Sequence, residues 1–218
     1  MSLRNSLAFA GAALSLAATV AFAQQTTFAT LSPPQPTDGN GKIEVTEFFW
    51  YGCPHCYALE PAVNAWLKNA PKDVVFKRVP AVPSDAWGEL AKLYYTLEAM
   101  NLLDTYHQKV FDAEHRDKVN LANKKLREEW LAKNGIDVAK YNETEKSFTV
   151  ATRMQRAKQL TYAYKVDSVP RIFVNGKYYT SAEQAGSGQI FTVVDQLIGM
   201  ARKEKGASAG SGAPIAQK

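Results

Sequence analysis

Apolar and polar residues along the 218-residue chain change their spacing several times, and each change marks an element. Ile43-Glu44-Val45-Thr46-Glu47-Phe48-Phe49-Trp50 concentrates β-branched and aromatic side chains, as a strand covered on both faces does. Leu59, Val63, Trp66 and Leu67 then recur at helical spacing and predict a helix over 57–69. A second strand covers 74–79 and stops at Pro80. Strand, helix and strand in this order predict a right-handed parallel unit. From Ser84 to Lys165 only helical periodicity remains, in stretches at 84–101, 104–116, 123–134, 137–146 and 148–164. Ser84 and Asp104 serve as expected N-caps and Gly135 as a C-cap. Strand character returns at 171–174, and Asn175-Gly176 before Lys177-Tyr178-Tyr179-Thr180 is a strong hairpin signal. A last helix is expected from Ser187 or Gly188 to Lys205.

This order predicts an α/β fold with a central mixed β-sheet, interrupted by an all-helical insertion at 84–165. The sheet domain is then split into 41–83 and 166–205. Residues 24–40, rich in Thr and Pro, read as an arm with one edge strand near 27–31. The Gly/Ala/Ser composition of 206–218 predicts a disordered tail. No internal repeat is visible.

The first 23 residues change the setting. Arg4, an apolar run from Leu7 to Phe22 and the small-residue pattern Ala21-Phe22-Ala23 have the layout of a secretory signal peptide. The apolar run is short of the ~20 residues a membrane span needs. Cleavage after Ala23 of the 218-residue chain leaves 195 residues, enough for one sizeable core. The formal charge of +5 falls to +4 when Arg4 is removed, with acidic and basic residues mixed along the chain. Such a balance favours solubility, and no basic run with interleaved aromatics points to a nucleic-acid partner.

Export to an oxidising compartment gives meaning to the two cysteines, Cys53 and Cys56. A bridge that encloses two residues constrains the unfolded chain little, so stapling the fold explains them poorly. Zinc needs further ligands that His107 and His115, placed in the insertion, do not supply, and Tyr57 stands where haem attachment needs a histidine. No metal and no cofactor is expected. Cys53-Pro54-His55-Cys56 lies where a strand meets a helix. There, free backbone N–H groups and the helix dipole favour an anion, so Cys53 is expected to be a stable thiolate. Pro54 fits the first helical turn, His55 adds to the effect when it is protonated or donates a hydrogen bond, and Cys56 is shielded one turn deeper. Each unit of depression of the Cys53 pKa below ambient pH favours the reduced form by ~1.4 kcal/mol, about 30 mV of oxidising power.

Glu47-Phe48-Phe49-Trp50-Tyr51-Gly52-Cys53-Pro54-His55-Cys56-Tyr57, with Ser168-Val169-Pro170 and Phe173-Val174-Asn175-Gly176-Lys177-Tyr178 far downstream, resembles the DsbA family of bacterial disulfide-forming oxidoreductases. The resemblance covers nearly the whole exported chain and implies a thioredoxin-like fold split by a helical insertion. It implies that Cys53 is the attacked sulfur, Cys56 its buried partner, and His55, with Pro54, the tuner of the couple. Ser168-Val169-Pro170 matches the family's cis-proline loop, whose Val169 backbone would pair with a substrate peptide. Glu47 matches the acidic residue beneath the family's active site, and Lys77 its basic neighbour. It further implies reduced exported proteins as substrates and reoxidation by a DsbB-like membrane quinone reductase.

Two readings of Glu47 stand side by side: a desolvated carboxyl that relays a proton for Cys56, or a salt-bridged strand residue. Trp50 and Tyr51, just before the reactive turn, are candidates for a peptide groove. His107 and His115 read as surface residues. Trp87, Tyr94, Tyr95, Trp130, Phe148, Tyr162 and Tyr164 read as the insertion's core. The chain is expected to act as a monomeric dithiol oxidase, with a reductase or isomerase as runner-up and a peptide-binding chaperone as a different class.

Overall fold

The computed structural model describes residues 26–186 and 188–210. The signal peptide expected over 1–23, Ser187 and the tail beyond Gly210 lie outside the described residues. Among the described residues five strands form one sheet: β1 (Ala29–Thr30), β2 (Ile43–Phe49), β3 (Val74–Pro80), β4 (Arg171–Val174) and β5 (Tyr178–Ser181). They lie in the order β1-β5-β4-β2-β3. Only β2 and β3 run parallel, joined by helix α1 (Pro54–Leu67). β4 and β5 form the Asn175-Gly176 hairpin, and β4 lies antiparallel to β2. At the turn, Gly176 has φ +65 and a Cβ there would come 2.0 Å from the Gln35 carbonyl oxygen, so only glycine fits under the arm.

Between β3 and β4 come α2 (Asp85–Ala99), α3 (Leu103–His115), α4 (Lys124–Lys133), α5 (Val138–Glu145) and α6 (Phe148–Ala163). After β5 stand a single turn, α7 (Ala182–Ala185), and α8 (Ile190–Gly210). Every residue of β2 is buried, because helices cover the sheet on both faces. On one face Val45, Ile172 and Val174 pack with Leu59 and Val63 of α1 and Val194, Leu197 and Ile198 of α8. On the other, Phe48 and Phe173 meet Tyr164 and the apolar faces of the insertion.

α1 starts at Pro54, in the first turn as expected, where the ring pre-sets the helical φ. Other expectations give way. α3 is preceded by Leu102, and Asp104 sits inside its first turn, where its charge complements the helix dipole. α8 continues through residues 206–210, assigned above to a disordered tail. Phe148 and Tyr162 are 85% and 60% exposed, so they are not core. α6 turns Val150, Ala157 and Thr161 inward, and the two aromatics lie off that stripe.

Phe173 is 1% exposed and touches the rings of Phe48, Tyr164 and Tyr179. Phe173→Ala is expected to lower stability in urea unfolding by about 3–5 kcal/mol. Phe148→Ala should stay within about 0.5 kcal/mol, as surface changes do.

Candidate redox site

β2 ends at Phe49, and the next residues fold back tightly before α1 begins. The Cys53 N–H donates to the Trp50 carbonyl at 3.0 Å, and the Tyr57 N–H to the Cys53 carbonyl at 3.1 Å. The Trp50 indole lies over Gly52, where a Cβ would approach it to 2.5 Å. Cys53 is thereby the N-cap residue of α1, with extended backbone and Pro54 behind it. Its sulfur sits where the first helical N–H groups lack intrahelical partners.

The two cysteines are unbridged and electrostatically unequal. A hydrogen bond from the Cys56 side chain, joined by the backbone N–H groups of Cys56 and His55 and by the charge of His55, lowers the Cys53 pKa to about 6 against the cost of burial. Cys56 is fully buried, and burial pushes its thiol far above the ordinary range. Cys53 keeps 8% exposure, and its thiol donates to the Val169 carbonyl at 3.4 Å. The Val169–Pro170 bond is cis. Ser168 is exposed, its hydroxyl donating to Asp167 and accepting from Arg171. Pro54 and His55 are exposed at the start of α1.

Beneath the pair lies Glu47, with no exposure and with one carboxylate oxygen, Oε1, lacking a hydrogen-bond partner. Its negative charge acts on Cys56 and helps to hold that thiol protonated. Burial, partly opposed by Arg78 and reinforced by Glu60, raises the Glu47 pKa to about 7. The carboxyl is thus both desolvated and salt-bridged.

Its basic partner is Arg78, whose Nε donates to Glu47 Oε2 at 3.2 Å; the expected Lys77 is corrected here. The parallel register sets Arg78 opposite Glu47 and Lys77 opposite Thr46, and neighbouring strand residues face opposite sides of the sheet. Lys77 instead pairs with Glu44 at 2.5 Å on the far face. The Arg78 guanidinium also donates to Glu60 of α1 at 3.1 Å, and Glu60 meets His107 Nε2 at 3.2 Å.

Three further residues depart from expectation. Tyr51 is 1% exposed and turns into the insertion, where its ring packs on Phe49 and Phe111, so it lines no groove. His107 is not a surface residue; its Nδ1 lies 2.7 Å from the Tyr51 hydroxyl. His115, half-buried, bonds the Tyr51 carbonyl at 2.7 Å and stacks on Tyr57, because α3 packs its inner face against the reactive turn. Trp50 does stay near the surface, half-buried and stacked on Trp87 at 4.3 Å. Glu60, Arg78 and His107 were missed in the sequence. For Glu60 a signal existed, since it follows Cys56 by one helical turn on the inward face of α1.

Two sulfurs of such unequal acidity in one turn, one reachable and one sealed, are suited to exchanging a disulfide with an outside thiol. Fold and chemistry together define a thiol:disulfide oxidoreductase on a thioredoxin-like scaffold. Comparison with known proteins narrows the class. The DSBA-like thioredoxin domain profile matches residues 78–197. The thiol:disulfide interchange protein DsbA of Bordetella parapertussis is 46% identical over 200 residues, covering 88% of this chain and 95% of that protein. The DsbA of Pseudomonas aeruginosa is 40% identical over 179 residues, covering 82% and 83% of the two chains. Its crystal structure superimposes with a TM-score of 0.77 at 39% identity, over 84% of this chain and 95% of the other. The chain belongs to the DsbA family.

Thiolate absorbance of the reduced protein should titrate with one midpoint near pH 6 from Cys53, while Cys56 stays silent into the alkaline range. A depressed pKa means that the thiolate stabilises the reduced fold at high pH, and that this stabilisation is lost as pH falls through about 6. The melting temperature of the reduced form, relative to the oxidised form, should accordingly drop between neutral pH and pH 5.

Proposed function

We propose that this chain is a periplasmic protein dithiol oxidase that gives its Cys53–Cys56 disulfide to exported proteins and is reoxidised by a DsbB-like quinone reductase of the inner membrane. The observation that carries the direction is the low pKa of Cys53. A sulfur that holds negative charge cheaply is a good leaving group, and it makes the reduced enzyme the stable one. The apolar segment before Ala23 and the family membership support export, with cleavage after Ala23. The proposal treats the chain as a monomer that uses no metal and no cofactor.

The reaction runs in two exchanges. A substrate thiolate attacks Cys53 Sγ, the Cys53–Cys56 bond breaks, and the electron pair leaves on Cys56. Cys56, whose burial disfavours its anion, takes the proton of the Glu47 carboxyl. A second substrate thiolate then attacks the substrate sulfur of the mixed disulfide, the substrate disulfide forms, and Cys53 departs as the thiolate held at the start of α1. The substrate loses two electrons and the enzyme gains them.

In this reading His55 adds charge beside Cys53 and Pro54 shapes the first turn. Ser168, Val169 and Pro170, with Trp50, form the wall against which an extended substrate segment lies. The proximity of the Val169 carbonyl to Cys53 supports that placement. Arg78 takes the part first assigned to Lys77, holding Glu47 in position.

Cys53→Ser should abolish oxidative refolding of a reduced, multi-cysteine protein. Cys56→Ser, first charged on Cys53 with oxidised glutathione, should instead exchange glutathione for a substrate thiol and accumulate a covalent enzyme–substrate species that dithiothreitol releases, because no internal thiol resolves it. A Cys53→Ser protein that still accelerated disulfide formation would refute the assignment, and one that retained only an anti-aggregation effect would indicate a chaperone.

A further inference from the structure

Behind Cys56 the acid–base groups continue past Glu47. Arg78 is the hub: its Nε bonds Glu47 at 3.2 Å and its Nη2 bonds Glu60 at 3.1 Å. Glu60, 1% exposed, then bonds His107 Nε2 at 3.2 Å, and His107 Nδ1 meets the Tyr51 hydroxyl at 2.7 Å. His107 lies in the wall of a cavity of about 420 Å³ between α1, β3 and α3. Asn64, Asp104 and Gln108, exposed residues in the same wall, open it to solvent.

Charge balance limits what this cluster can hold. The guanidinium stays protonated, and a buried cluster resists net charge. It is neutral in three arrangements: Glu47 protonated, Glu60 protonated, or both carboxylates ionised and His107 cationic. All three contain the same single mobile proton. The hydrogen bonds accommodate the shift, because neutral His107 donates Nε2–H to Glu60 and accepts from Tyr51, while cationic His107 donates to both once the Tyr51 hydroxyl rotates. The other titratable groups that face His107 are Tyr51, Tyr94 of α2 and Asp104 on the cavity rim. Burial keeps both tyrosines neutral.

We propose that Glu47, Glu60 and His107, gathered round Arg78, share one proton, and that His107 is the member through which the cavity water supplies and recovers it. This rests on the reading of Glu47 as the proton partner of Cys56. His107 acts through Glu47 as a positioning residue and never touches substrate. When Cys56 resolves a mixed disulfide, its thiol proton passes to ionised Glu47 and the Cys56 sulfur attacks Cys53. The proton then leaves by way of His107. While Glu47 is ionised His107 carries the shared proton, and burial, which lowers the His107 pKa against the pull of Glu60, lets the imidazolium give it up to the cavity once Glu47 has taken the thiol's.

The test is the rate at which Cys56 resolves a mixed disulfide of Cys53 with glutathione, followed in single turnovers across pH. Removing the imidazole leaves ionised Glu47 without a compensating cation. His107→Gln, which keeps a hydrogen-bonding side chain, should therefore shift the midpoint of the profile upward by about one unit and slow resolution at neutral pH about tenfold. Millimolar imidazole, entering the enlarged cavity, should restore much of the rate to His107→Ala. Glu47→Gln should abolish the titration, and adding His107→Gln to it should change nothing more. A His107→Gln profile superimposable on that of the unaltered protein, beside a flattened Glu47→Gln profile, would overturn the inference and leave the reading of Glu47 standing. A Glu47→Gln profile that still titrates normally would overturn both.

Discussion

An anionic sulfur held at the start of α1 organises the reactive end of this fold. The first turn of a helix offers N–H groups with no intrahelical partner, and Cys53 as N-cap residue places its Sγ among them. The sheet makes this possible. β2 delivers the chain to the helix through a turn too tight for a side chain at residue 52, where Trp50 already occupies the space. Pro54 starts the helix without wasting a donor. The cis-proline loop closes the other side, with the Val169 carbonyl against the sulfur. Stabilisation of one charge thus fixes the geometry of a strand end and a helix start, while the loop far away in sequence meets the protonated sulfur through the Val169 carbonyl.

The second cysteine is useful because it lacks all of this. Cys56 is buried one turn along α1, and beneath it stand a protonatable carboxyl and an arginine that serves two carboxylates at once. A burial penalty on Cys56, and on Cys53 the hydrogen bond from the Cys56 thiol joined by the first N–H groups of α1, drive them apart in acidity. Their separation gives the disulfide its asymmetry toward attack. The helical insertion contributes more than a covering for the sheet, since α3 carries His107 and His115 to the back of the reactive turn.

Much of this was legible along the chain. The switch from strand to helical periodicity marked β2, α1, β3 and the insertion, and Asn175-Gly176 marked the hairpin, because those signals are local. The reactive turn was legible for the same reason, since a cysteine before a proline at a strand-to-helix junction sits at a helix N-terminus. Lys77 and Arg78 could not be told apart, because which of two adjacent strand residues faces Glu47 depends on the register between β2 and β3. Nor could the surroundings of Tyr51 and His107 be read, as they arise from α3 packing on α1 across a long stretch of sequence. Phe148 and Tyr162 misled because residue type predicts burial only when the helix face is known.

Charge stabilisation on Cys53 makes the bonded pair the high-energy state. Equilibrating the purified protein with glutathione buffers of graded composition, and counting reduced and oxidised forms, measures that directly. The expected couple is more oxidising than glutathione, so that the enzyme remains largely reduced in buffers that still oxidise ordinary protein thiols. A potential near the ~−270 mV of thioredoxin would contradict it.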